Sequence, residues 1–181
     1  MKRKRWLLLV GSLLTLLVGW SLFYYRHTSF SGLPQLFVLL IALLHFQFHS
    51  VSVKEAFNIT MAVACYLPII FIYGIWEAIV ISILVSIIHG IGAKKDALSI
   101  YLNCLQRSAT AIISGNIFLF LNGEFGAAAL TVPTSIFSMV IAGMSYSIIN
   151  LLLVSLLVVL KGNVTPKRMT TVLTMNVLVI D

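Results

Sequence analysis

Charge is what this sequence has least of. Only 9% of its 181 residues are charged and only five are acidic, whereas about a quarter of a soluble domain is charged. A chain this poor in ionisable groups cannot cover its own core with polar surface, so water is the wrong solvent for it. The shortage of acids also argues against metal-dependent phosphoryl transfer, which needs carboxylates to hold its cations. There are two cysteines, Cys65 and Cys104, both in or beside apolar segments and at no metal-site spacing, so they read as packing residues. A phosphate-cradling GxxxxGK[ST], a nucleophile elbow and paired carboxylates within one connection are all missing. The expectation is a chain that is not itself an enzyme and carries no cofactor.

What it has instead is apolar sequence: 60% hydrophobic residues and a mean hydropathy of +1.07. Crossing the ~30 Å hydrocarbon core takes roughly 20 apolar residues in a helix. Six segments qualify, Trp6–Tyr25, Leu33–Phe48, Ala56–Tyr73, Ile75–Ile91, Leu98–Leu121 and Ala127–Leu160. The predicted fold is an all-α polytopic bundle of about six transmembrane helices. The first segment follows "MKRKR" and ends in the bulky "SLFYYRH", which offers no small-residue cleavage site, so it reads as a retained signal anchor. Residues 127–160 are too few for two spans and a turn; one helix starting near Pro133 would be about 42 Å long at 1.5 Å per residue. Residues 1–30 thus form an anchor helix and outer turn, 31–162 a helical membrane domain, and 163–181 a polar linker and apolar tail. That tail, "TTVLTMNVLVID", is either the start of a seventh helix or a short interfacial end.

The net charge of +7 sits at the ends of apolar runs, as membrane proteins distribute it. No basic patch interleaves with exposed aromatics, so membrane lipids rather than nucleic acid are the expected partner. With the N-terminus in the cytoplasm, "KRKR", "HSVSVKEAF", "GAKKDA" and "KGNVTPKR" fall inside, holding ten of the 12 Lys and Arg residues. Only Arg26 falls outside, with Glu77 and Glu124 on that side; Arg107 lies within the fifth span. This asymmetry sets the orientation by the positive-inside rule.

The fifth span also holds polar groups. At 100° per residue, Asn103, Gln106, Arg107, Thr110 and Ser114 fall within about 100° of one another, one stripe on an otherwise apolar helix. Ser82, Ser86 and His89 share a face of the fourth helix, His45 and His49 share one on the second, and Tyr146, Ser147 and Asn150 lie about one turn apart on the sixth. His45, His49, His89, Asn103 and Arg107 all fall in the cytoplasmic half, where they are positioned to converge. Two readings stand for these groups. They are interhelical hydrogen-bonding glue, worth ~0.6 kcal/mol and at most ~2 kcal/mol each, or they line a ligand pocket or relay, the default reading for ionisable groups inside a membrane. Arg107 favours the second, because no acidic residue is placed beside it. A metal at the histidines is not expected: the stretch is "HFQFH", without the HExxH pattern or a neighbouring carboxylate.

"YLNCLQRSATAIISGNIFLFLNG", followed by "YSIINLLLVSLLVVLKG", resembles the multi-helix membrane-associated sensor (MASE-like) domains that precede HD-GYP phosphodiesterase or GGDEF diguanylate cyclase domains in bacterial signalling proteins. The likeness runs from about residue 33 to 165 and rests on Asn103 with Gln106 three residues later, the outer turn "LNGEFG", and the mid-span Asn150. It implies a plasma-membrane input module, commonly a homodimer, coupled to cyclic di-GMP turnover. It also implies a cytoplasmic output domain or partner protein beyond the "VLTMNVLVID" tail. Asn103, Gln106, Arg107, Thr110, Ser114 and Asn150 would form the polar core or signal relay, with His45, His49, Ser86 and His89 as a second cluster. Two other classes fit the outline: the substrate-binding membrane subunit of an energy-coupling-factor vitamin importer, and a structural subunit docking a partner helix. Against the importer, the first helix, "LLLVGSLLTLLVGW", lacks a small-residue AxxxA docking motif, and the polar groups crowd the inner half.

Overall fold

A computed structural model of the protein describes residues 2–25, 33–49, 51–52, 58–59 and 62–161. The elements are helices α1 (Lys2–Tyr24), α2 (Leu33–Phe48), α3 (Ala62–Pro68), α4 (Ile75–Gly92), α5 (Ala97–Phe120), α6 (Ala128–Thr131) and α7 (Pro133–Lys161). One two-residue antiparallel pair, β1 (Val51–Ser52) with β2 (Asn58–Ile59), lies between α2 and α3. The fold is all-α, as expected. The apolar tail in 163–181, the outer turn with Arg26, and Lys54, Glu55, Lys167 and Arg168 lie outside the described residues.

Among the described residues three helices are long and apolar enough to cross a membrane: Arg5–Tyr24, Ile75–Gly92 and Pro133–Lys161. The other three expected spans fall short for different reasons. α2 is apolar but only 16 residues long. The segment expected to run from Ala56 is shortened by strand pairing at Asn58–Ile59, so its helix starts at Ala62. α5 is long enough, with 24 residues, but its polar stripe keeps it off the apolar set.

Proline shapes two of these elements. Pro68 has no N–H to give and crowds the carbonyl four residues back. The helix responds by widening into one π-helical turn, Ile69–Tyr73, which ends where the Gly74 N–H donates to the Ile69 carbonyl (3.1 Å). Gly74 then turns the chain into α4 at φ 112°, a conformation that side chains resist. Pro133 acts oppositely: it holds Val132 extended (φ −89°, ψ 120°) and so separates α6 from α7, where its missing donor costs nothing. The single helix from Pro133 is therefore observed.

α5 occupies the centre, packed against α4, α7 and α1, while α2 packs on α3 and α4. Small residues allow α4 and α5 to approach closely at both ends. A Cβ on Gly90 would come within 2.4 Å of Ile100, and one on Gly115 within 2.5 Å of Ile75. Between membrane helices such close packing does much of the work that hydrophobic collapse does in water. Apolar surface points outward instead. α7 exposes Phe137, Val140, Met144, Ile148 and Leu152 along one face. α1 exposes Trp6 near one end and Trp20, Phe23 and Tyr24 near the other, about 27 Å apart at the extremes by helical rise. That is the spacing of aromatic belts at the two bilayer interfaces.

Candidate functional site

The polar groups of α5 and α7 form a seam along the whole length of the two antiparallel helices. Five hydrogen bonds cross it, counting the turn that leaves α5. The Ser135 hydroxyl accepts from the Glu124 N–H (3.0 Å), Ser138 donates to the Leu121 carbonyl (2.6 Å), Ser114 donates to the Ala142 carbonyl (2.7 Å), Gln106 Nε2 donates to Asn150 Oδ1, and Lys161 Nζ donates to Ser99 Oγ (2.5 Å). Ser114, Ser135, Ser138 and Gln106 are buried, and Asn150 is half-buried. Desolvated amides and hydroxyls need partners, and in hydrocarbon the neighbouring helix is the only place to find them.

Beside the middle of this seam lies Arg107, half-buried, with Nη1 donating to the Tyr66 hydroxyl (3.3 Å). Its guanidinium carbon stands 6.0 Å from the Tyr66 ring centroid, within cation–π range. Tyr66, on α3, stacks on Tyr146 of α7 with centroids 6.2 Å apart. Among the described residues no carboxylate pairs with Arg107. A phenol and an aromatic face stand where the sequence offered no acid.

Several expected groups behave differently. Thr110 is buried but bonds back to the Gln106 carbonyl of its own helix (2.9 Å). Asn103 is half-buried and makes no hydrogen bond among the described residues. Two of the three histidines stay away from the polar stripe, whereas His89 lies within electrostatic reach of Arg107. His45 and His49 are exposed and stack on each other (4.3 Å), while His89 packs edge-on against Phe48 (5.2 Å). Among the described residues no group of three His, Cys, Asp or Glu residues could hold a metal. Ser82 and Ser86 are buried on α4, beside Tyr66 and Cys104 respectively, and neither meets hydrogen-bond geometry. Glu77, expected on the outer side at the start of the fourth span, is buried in the first turn of α4. Cys65 is buried and Cys104 half-buried, both as free thiols.

No family model, curated protein or solved structure matches the chain. The site must therefore be read from its own geometry.

The cations gather at one end of the bundle. The first turns of α1, the α4–α5 connection and the last turn of α7 meet there, bringing Lys161 to Ser99 and Asp96. Arg5, Lys94 and Lys95 belong to the same segments, whereas Glu124 lies at the far end of α5. Asp96 caps α5, accepting from the Ser99 hydroxyl (2.5 Å) and backbone N–H (2.9 Å), and these bonds hold its carboxyl below the usual aspartate range. Lys95 is exposed by surface area. Loss of hydration at its ammonium, then repulsion from Arg107 and Lys161, still moves its pKa below the ordinary lysine value.

The sequence pattern did not reveal Tyr66 or the rungs at Ser135 and Ser138, although it marked Ser114. Tyr66 meets Arg107 across two helices 41 residues apart in sequence, and Ser135 and Ser138 look like ordinary small residues until α5 lies against them. A small-residue stripe at i, i+3 and i+7 (Ser135, Ser138, Ala142) was the available signal.

Proposed function

We propose that the chain is the membrane-embedded input module of a bacterial signalling protein. It sits in the plasma membrane with its N-terminus in the cytoplasm, and α5 and α7 carry the signal. The observation behind this reading is the seam itself, which makes the longest polar contact in the bundle also the one that leads out through Lys161. Its rungs are individually weak, ~0.6 kcal/mol each in typical membrane helices. At least one is readily exchanged: the Ser138 hydroxyl lies 2.6 Å from the Leu121 carbonyl and 2.8 Å from the Thr134 carbonyl of its own helix. A contact built of weak, exchangeable bonds suits two helix packings of similar energy, whose balance a stimulus can shift. The Arg107–Tyr66–Tyr146 stack ties α3 to that choice. The cationic end of the bundle supports a cytoplasmic N-terminus. The resemblance to sensor domains preceding cyclic di-GMP enzymes supports a homodimer that speaks to a cytoplasmic output domain or partner, with α2, α3 and α5 completing six spans.

The test has two parts. Spin labels at the exposed positions Leu98→Cys and Leu156→Cys, with Cys65 and Cys104 replaced by Ala, report the α5–α7 distance in bilayers. Two distance populations are expected, with a ratio that changes in Arg107→Leu and Gln106→Leu. Cyclic di-GMP measured in cells carrying the native gene should change with Arg107→Leu and not with Ile148→Leu on the exposed face of α7. A single distance, insensitive to both core substitutions and without any change in cyclic di-GMP, would sink the proposal.

A further inference from the structure

A cavity of about 890 Å³ opens between α1, the first turn of α5 and the last turn of α7, within the ~300–1,000 Å³ range of ligand sites. Its walls are apolar, formed mainly by Leu7, Leu8, Leu16, Leu98, Leu102 and Leu160. Gly11 deepens it, since a Cβ there would meet only the far end of Leu102, at 3.9 Å. The wall hydroxyls are already engaged: Ser12 donates to the Leu9 carbonyl (2.9 Å), and Thr15 bonds the Gly11 carbonyl (2.7 Å) and Tyr101. The shaft therefore asks nothing polar of an occupant.

The mouth is different. Lys161 and Ser99 stand there at the cationic end of the bundle, with Asp96 already committed to capping α5. Among the described residues Lys161 uses one of its three ammonium donors, on Ser99. Arg5, Lys94, Lys95 and Lys161 outnumber the single acid, Asp96, in the described segments of this end. An apolar shaft with a cationic mouth at the interface matches one chemistry, an acyl chain ending in a negative phosphate. Basic pockets between transmembrane helices take anionic headgroups on this basis.

We propose that this cavity binds an anionic phospholipid, its phosphate at Lys161 and Ser99 and one acyl chain between α1 and α5. The inference stands apart from the signalling reading, because it requires only that the chain resides in a bilayer. It gives α1 a role beyond anchoring, as one wall of a lipid site that touches both helices of the seam.

The test uses the full chain in nanodiscs of phosphatidylcholine with a minority of phosphatidylglycerol, read by native mass spectrometry of the released protein. Retention of one phosphatidylglycerol in preference to phosphatidylcholine is expected. Lys161→Gln should reduce that preference about five-fold, the equivalent of ~1 kcal/mol for one lysine near the surface. Gly11→Leu, which fills the shaft, should reduce retention of both lipids alike. In the unaltered chain, phosphatidylglycerol carrying a photoreactive acyl chain should label residues 7–16 and 98–102. Equal retention of the two lipids, a preference that survives Lys161→Gln, retention unchanged by Gly11→Leu, or adducts confined to the outer face of α7 would overturn the proposal. The labelling decides the matter if either variant fails to fold.

Discussion

α5 and α7 run side by side and are built in opposite ways. α7 is apolar along most of its 29 residues and turns Phe137, Val140, Met144, Ile148 and Leu152 outward. α5, with 24 residues, buries Gln106, Ser108, Thr110 and Ser114 at the centre of the bundle. A soluble protein would reverse this arrangement. Lipid tails solvate leucine as well as another helix does, so apolar surface gains nothing by turning inward, whereas an amide or hydroxyl facing hydrocarbon loses its hydrogen bonds. Hydropathy therefore passes over a helix whose buried face is polar, which is why α5 is missing from the three span-length apolar ones, while α4, half buried but apolar, is among them.

This contrast can be broken most severely where α5 meets α4. Gly115→Leu forces a side chain into Ile75, whose Cγ1 would be 2.5 Å from the new Cβ. The expected loss is about 1–3 kcal/mol, typical of overpacking, as a lowered unfolding midpoint in detergent. Gly19→Leu on α1 has no neighbour within 4 Å of its Cβ position and should change stability by less than about 0.5 kcal/mol. Equal losses at both glycines would mean that α5 is not the packed centre.

A smaller effect is expected in the middle of the seam. A double-mutant cycle on Gln106→Leu and Asn150→Leu should return a coupling of ~0.6 kcal/mol, with ~1.7 kcal/mol as the upper bound seen between membrane helices. No coupling would place the two amides out of contact in the bilayer. Smaller still, Ile148→Leu and Leu152→Ile on the outward face of α7 should each stay within about 0.5 kcal/mol; a loss above 1 kcal/mol would show that a partner helix covers that face.

The least effect belongs to the α5 cap. The Ser99 bonds lower the pKa of Asp96 from its ordinary value of 3.8, so its contribution to stability is complete at neutral pH. It is lost only as pH falls below about 3.8 through the lower folded value. Asp96→Asn should flatten this acid limb in a pH series of unfolding midpoints and leave the neutral region nearly unchanged.

Much of this organisation was legible without coordinates. The stripe on α5 could be drawn on a helical wheel, because a 3.6-residue period turns spacing into a shared face, and Gln106, Thr110 and Ser114 are indeed buried together. The start of α7 at Pro133 was legible because proline constrains its own φ and its predecessor's. Of the histidines expected to meet Asn103 and Arg107, His89 comes within reach of the Arg107 charge and His45 and His49 do not, because shared depth says nothing of which way each helix is rotated. His45 and His49 face outward on α2, away from the stripe.

The sequence by itself determined the solvent, the helical class and the faces of single helices, since composition and periodicity act within one segment. Only the tertiary structure decided which faces meet. It set Tyr66 against Arg107, matched Ser135, Ser138 and Asn150 to partners on or just beyond α5, and left a lipid-sized cavity beside α1. Those outcomes depend on the rotation and offset of one helix against another, and no period within a single chain segment encodes either.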